Sequence, residues 1–165
     1  MAVTYEPIAT TTLGAAANSI TFSSISSAYT DLRLVLVATA ATADFARLQI
    51  NADTATNYSI TNIYGEGASA VSNRQINQAY NSITPNDQIS TTIPTMITAD
   101  FFSYTGSTYK TILYTNSSDR NGSGSTSRSV GLYRSTAAIS SIKVYLATNN
   151  FAIGTTATLY GIKAA

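Results

Sequence analysis

Apolar residues recur at every second position along much of this chain, and a period of two is the signature of pleated strands. Leu32, Leu34 and Leu36 alternate with Arg33, Val35 and Val37. Ala46, Leu48 and Ile50 alternate with Arg47, Gln49 and Asn51, and Ile142, Val144 and Leu146 with Ser141, Lys143 and Tyr145. Ile20 and Phe22 stand against Thr21 and Ser23. The pattern predicts further strands over 57–64, 95–104, 109–115, 128–134, 139–147 and 156–163. No helical spacing is sustained, and Ala15-Ala16-Ala17 is too short to hold a helix. Eight or nine short strands predict an all-β, antiparallel β-sandwich in one domain over 1–165. A jelly roll is the expected arrangement, with an immunoglobulin-like sandwich or a barrel as alternatives. The absence of Cys and Trp weighs against the immunoglobulin type.

Turn chemistry separates the strands. Asn51-Ala52-Asp53, Gly65-Glu66-Gly67 and Asn149-Asn150 supply residues that tolerate positive φ or bond their own backbone. The stretch 68–94 is polar and contains Pro85 and Pro94, so it is expected to form an irregular excursion over one end of the sandwich. Residues 117–129 hold Gly122 and Gly124 among hydroxyl side chains, and the expectation is a flexible, exposed loop.

Composition narrows the chemistry. The 165 residues include 26 Thr, 21 Ser and 12 Asn, whereas charged residues make up only 10%. A typical domain carries about 25% charged residues, so the polar surface here is mostly hydroxyl and amide. Without Cys or His there is no thiolate nucleophile, no imidazole base, no Ser-His-Asp triad and no ordinary zinc site. The net charge of +1 comes from scattered cations, which argues against a nucleic-acid partner. No run approaches the ~18 apolar residues of a membrane span, so membrane insertion is not expected. The opening Met1–Pro7 lacks the cationic start and apolar run of a signal peptide, so synthesis in a cytoplasm is expected.

Several segments invite a site. Asp53-Thr54-Ala55-Thr56-Asn57 alternates oxygen ligands but lacks the further carboxylates and Gly of a calcium loop, which favours a hydrogen-bonded turn. Gly65-Glu66-Gly67 lacks the Lys and spacing of a phosphate loop. The eight carboxylates are spread along the chain, and no spacing selects an acid–base pair, so no catalytic residue is assigned. No metal and no cofactor are expected. Tyr104 and Tyr109 flank a Gly106-Ser107 turn, where exposed rings would offer contact area to a protein or a sugar. Arg120, Arg128 and Arg134 bracket the 117–129 loop and could reach a neighbour's carboxylates. Arg33, Val35 and Val37 share one face of a strand whose other face carries three Leu. Such a strand is either covered on both sides by its own chain or meets another subunit.

The two ends of the chain carry a recognisable order of motifs. Thr4-Tyr5-Glu6-Pro7-Ile8-Ala9-Thr10-Thr11-Thr12-Leu13 precedes Ser19-Ile20-Thr21-Phe22-Ser23-Ser24-Ile25 and then Tyr29-Thr30-Asp31-Leu32-Arg33-Leu34-Val35. Leu48–Asp53, Asn57-Tyr58-Ser59, Ala138–Ile142, Asn150-Phe151 and Gly154–Ile162 continue it. This order resembles a group of tailed-bacteriophage virion structural proteins, over the first third and last quarter of the chain but not over 68–129. The resemblance implies an all-β virion component, often oligomeric, of the capsid decoration (cement) or tail-fibre type. The resulting expectation is a non-enzymatic homotrimer on the capsid exterior that contacts the major capsid protein or other virion proteins. The alternative is a tail-fibre component that binds host-surface glycan. The candidate partner or subunit contacts are Arg33, Val35, Val37, Tyr104, Tyr109, Arg120 and Arg128.

Overall fold

A computed structural model describes residues 5–163. Its elements are twelve strands: β1 (Tyr5–Thr12), β2 (Ser19–Phe22), β3 (Asp31–Ala38), β4 (Ala46–Ile50), β5 (Tyr58–Gly65), β6 (Ala70–Gln78), β7 (Asn81–Ser82), β8 (Thr95–Phe101), β9 (Lys110–Asp119), β10 (Gly124–Tyr133), β11 (Ile142–Leu146) and β12 (Thr156–Ile162). Every pairing is antiparallel. The protein is an all-β sandwich of an eight-stranded sheet, ordered β1-β12-β3-β8-β9-β10-β5-β6, and a four-stranded sheet, ordered β2-β11-β4-β7.

Alternation translates directly into burial. Leu32, Leu34 and Leu36 of β3 are buried, as are Ala46, Leu48 and Ile50 of β4 and Ile142, Val144 and Leu146 of β11. These inner faces, with Ile97, Phe101, Ile112, Phe151 and Leu159, form one hydrophobic core. Burying each Leu or Ile side chain contributes about 1.5–3 kcal/mol before the entropy of ordering it is counted.

Two hairpins make one sheet twice as wide as the other. Leaving out the hairpins β5–β6 and β9–β10 leaves four strands on four: β1-β12-β3-β8 against β2-β11-β4-β7. The two hairpins pair with each other through β10 and β5 and widen the larger sheet past β8.

Two expectations are corrected here. The stretch 68–94 is not wholly irregular: β6 forms a nine-residue edge strand against β5, and β7 joins β4. Polar Ser, Asn and Gln on β6 hide the strand signal, because an edge strand exposed on both faces has no apolar alternation to show. After β7 the chain continues along β4, where Ile83 N–H donates to Ala46 C=O at 3.0 Å and Ile89 N–H to Asp44 C=O at 2.9 Å. Residues 117–129 are not a flexible loop either. Most of them extend β9 and β10, and the turn between the strands spans only 120–123. Positive φ at Asn121, Gly122 and Gly124 closes that turn.

Candidate functional site: the outer face of the large sheet

Strand register assembles a surface that no local segment displays. On one rung of the eight-stranded sheet stand Val35, Thr98, Thr115, Arg128, Ile63 and Ser72. The neighbouring rung carries Arg33, Asp100, Leu113, Val130, Thr61 and Arg74, and the rung on the other side begins Val37, Met96, Ser117, Thr126. All of these side chains point away from the core, because the buried positions of each strand are the intervening residues.

The surface is mixed apolar and hydroxyl. Val37 and Val130 are each 42% exposed, Met96 52% and Ile63 55%. Thr98 and Thr115 hydroxyls bond each other at 2.6 Å, and Arg74 Nε donates to Thr61 Oγ1 at 3.1 Å. Arg33 forms a forked pair with Asp100, its Nε at 2.5 Å from Oδ1 and its terminal nitrogen at 2.9 Å from Oδ2. That pair neutralises the β3 end of the face. The Arg128 side chain is exposed and makes no ion pair or hydrogen bond among the described residues. The face therefore presents separated apolar side chains around one unpaired guanidinium.

At one end, the tips of the β5–β6 and β9–β10 hairpins border a shallow cleft of about 570 Å³, with Gly65–Gly67 on one side and Ser117–Asp119 and Gly122–Thr126 on the other. Met96 and Pro94 supply its apolar wall, and Glu66 and Asp119 its carboxylates. Its lining is mainly hydroxyl and backbone.

The structure brings Arg33, Val35, Val37 and Arg128 together on this face. It separates the other three candidates from it. Tyr104 is not an exposed contact: its ring is fully buried and its hydroxyl donates to Ser26 C=O. The ring anchors the turn between β8 and β9, where Lys110 Nζ donates to Gly106 C=O at 2.5 Å and Thr108 C=O at 2.6 Å. Tyr109 is 57% exposed, but it precedes β9 and so lies at the end of that strand away from the cleft. Arg120 pairs within its own chain, its Nη1 donating to Asp87 Oδ2 at 2.8 Å. Arg134 is likewise occupied, with Thr56 C=O and Asn77 Oδ1 as acceptors.

The turn segments behave as their chemistry suggests. Asp53 Oδ1 accepts from Ala55 N–H at 2.8 Å, and Oδ2 accepts from Asn57 Nδ2 at 2.8 Å. Gly65-Glu66-Gly67 ends β5 and enters the turn of the β5–β6 hairpin, with Gly67 at φ +94°. Among the described residues no group of three or more His, Cys, Asp or Glu is placed to hold a metal ion, and no helix is long and apolar enough to cross a membrane.

Sequence reading missed Met96, Ile63, Leu113 and Val130 as members of one surface. They lie on four different strands, β8, β5, β9 and β10, and only the pairing of β8 with β9, β9 with β10 and β10 with β5 sets them side by side. Asp44 was missed too. Burial disfavours its ionised form, but the N–H groups of Thr148, Asn149 and Phe45 and the Thr148 hydroxyl outweigh burial and hold the carboxyl below its ordinary value. Comparison with protein-family models, curated proteins and solved structures finds no match to the chain.

Proposed function

We propose that this chain is a non-enzymatic virion structural protein of the tailed-phage type, a homotrimer that decorates the capsid exterior and clamps neighbouring capsid subunits. The observation that carries this reading is the outer face of the large sheet, with Val37, Met96, Ile63 and Val130 exposed on adjoining rungs. Eight strands about 4.8 Å apart, each seven to ten residues long, present a face of about 1,000 Å². That exceeds the roughly 800 Å² each partner contributes to a stable interface. Low charge makes such a contact depend on shape and apolar burial rather than on steering.

Fold lineage supports the same reading. Numbered without the inserted hairpins, the strands run 1-8-3-6 on one sheet and 2-7-4-5 on the other, which we read as a jelly roll carrying two inserted hairpins. The residues that resemble phage virion proteins fall mainly on or beside β1, β2, β3, β4, β11 and β12, within this eight-strand scaffold; the opening Thr4 lies outside the described residues. The middle of the chain, which lacks the resemblance, supplies β6 to β10 and with them much of the outer face.

A closed cyclic trimer joins two different patches of each copy and removes exposed sheet edges. Binding at three linked points then makes detachment require several contacts to break together. The test is imaging of phage particles that carry the protein, with sedimentation of the purified chain. Density at capsid threefold or inter-subunit positions, a mass of three chains and retention on particles in high salt are the expected results. Stripping by moderate salt, or density confined to the tail, overturns the capsid reading.

One observation favours the tail-fibre alternative. The cleft between the hairpin tips combines Ser, Thr and backbone groups with Glu66 and Asp119, donors and acceptors that match sugar hydroxyls. Glycan-array binding that is lost on Asp119→Ala would support it, and binding to no glycan or host cell would sink it.

A further inference from the structure

The inner face of the inserted strands is unlike the rest of the core. Along β10 the inward residues from 125 to 131 are Ser125, Ser127, Ser129 and Gly131, all small and all buried, and only Tyr133 at the end of the strand is large. Asn62 on β5 lies opposite Ser129, and Asn116 on β9 lies opposite Ser127, so the two amides flank this stripe on adjacent rungs. Asn62 is 2% exposed, Asn116 1% and Ser129 3%. The chain after β7 runs over them: Asp87 accepts from Ser118 at 3.1 Å and from Ser125 at 3.3 Å, which places its neighbour Asn86 above the same strands.

These groups have no protein partners. Both side-chain atoms of Asn62, Asn86 and Asn116, together with Asn81 Oδ1 and Ser129 Oγ, are enclosed and make no hydrogen bond among the described residues. Buried polar atoms are almost always satisfied, and leaving this many unsatisfied would outweigh the stability of an ordinary domain. Asn62 and Asn116 sit two strands apart, about 10 Å across the sheet, which is too far for their amides to meet.

We propose that this half of the sandwich is a hydrated chamber, in which ordered water molecules bridge Asn62, Asn86, Asn116 and Ser129. The chemistry of the orphaned atoms selects water. Three amide nitrogens need acceptors, and four amide oxygens need donors. A cation would take the oxygens and leave every nitrogen unpaired, whereas each water both donates and accepts. At about three bonds per buried water, a cluster of three or four molecules satisfies the set. The short side chains of Ser125, Ser127 and Ser129 provide the room, whereas the space over Gly131 is taken by the Tyr114 ring and Asn81. Unlike the function proposed above, this inference involves no partner and stands apart from it.

A high-resolution crystal structure of the wild-type chain tests the proposal. The expected result is enclosed waters within hydrogen-bond distance of the Asn62, Asn86 and Asn116 amides. Amides paired with each other or with backbone and no enclosed solvent would overturn it, as would a peak ringed by oxygens alone at cation distance. In solution, oxygen-17 relaxation dispersion of water is expected to detect long-lived waters that diminish in Asn62→Leu/Asn116→Leu. An unchanged signal in a folded variant would also overturn it. The wild-type crystal structure decides the matter if that variant does not fold.

Discussion

Val35 and Arg128 stand on the same rung of the eight-stranded sheet, three strands apart, with the bonded hydroxyls of Thr98 and Thr115 between them. Ninety-three positions separate the two residues in sequence, and strand register alone makes them parts of one surface. If that surface joins copies of the chain, a buried charge will break it. Val37→Asp and Ile63→Asp are expected to turn a three-chain species into monomers in sedimentation. Thermal stability of the monomer should stay within about 0.5 kcal/mol, because both side chains are half exposed in the single chain. Either variant folding and still sedimenting as three chains would remove this face from the interface.

Asn81 Nδ2 donates to the Tyr114 hydroxyl at 2.9 Å, over the backbone of Gly131. A methyl group at that glycine would lie 2.6 Å from the Tyr114 ring and 2.7 Å from Asn81 Nδ2. Gly131→Ala is therefore expected to destabilise by about 1–3 kcal/mol through overpacking. Each kcal/mol lowers the melting temperature by about 2–4 °C in a domain of this size. A melting temperature equal to that of the wild type would mean that the Tyr114–Asn81 pair is not held against the strand.

Asp44 ties the start of β4 to the chain after β11, accepting from Thr148 N–H at 2.7 Å and Asn149 N–H at 2.8 Å. Asp44→Ala leaves those donors buried without a partner and should cost about 3 kcal/mol in denaturant unfolding. A loss below about 0.5 kcal/mol would show that other groups replace the carboxylate.

The same carboxylate sets an acid limit. For Asp44, hydrogen bonds win over burial; at Asp53 the Asn57 side chain is the main cause, and both carboxyls lie below their ordinary value. A lowered folded value means that the unfolded chain binds more protons, so stability rises with pH through this range. Their contribution is complete above the unfolded value of about 3.9 and is lost as pH falls through the folded values. With no His in the chain, unfolding free energy is expected to be flat from about pH 5 to 8 and to fall below about pH 4. A midpoint near pH 6 in the stability profile would contradict this.

Arg120 and Asp87 hold the tip of the β9–β10 hairpin against the segment after β7. Both side chains are partly exposed, so Arg120→Ala should change global stability by no more than about 1 kcal/mol. Its effect should be local, with faster amide exchange across 117–126 and unchanged exchange in β3 and β12. Uniform acceleration over the whole sheet would show that the pair supports the fold rather than the tip.

The sandwich and its core were legible in the sequence because strands buried on one face write their burial in alternation. Leu32, Leu34, Leu36, Leu48, Val144 and Leu146 could hardly face anywhere else. The two hairpins were legible only in part: the expected strands over 57–64, 109–115 and 128–134 fall on β5, β9 and β10, whereas β6 and the stretch of β9 and β10 over 117–127 were not expected as strands. β6 is exposed on both faces, and the inward residues of β10 from 125 to 131 are Ser and Gly, so neither stretch shows the apolar period that marks the others. Tyr104 illustrates the same limit, since whether a turn-flanking ring points inward depends on an acceptor, Ser26 C=O, 78 positions away. By itself the sequence determined the strand content, the inner faces of the scaffold and the absence of thiol or imidazole chemistry, because these follow from residue type and local period. Only the tertiary structure decided which outward residues meet, since register between strands distant in sequence is set by packing of the whole core. That long-range choice put Val35 beside Thr98 and Arg128 beside Ile63, and it gathered Asn62 and Asn116 beneath them.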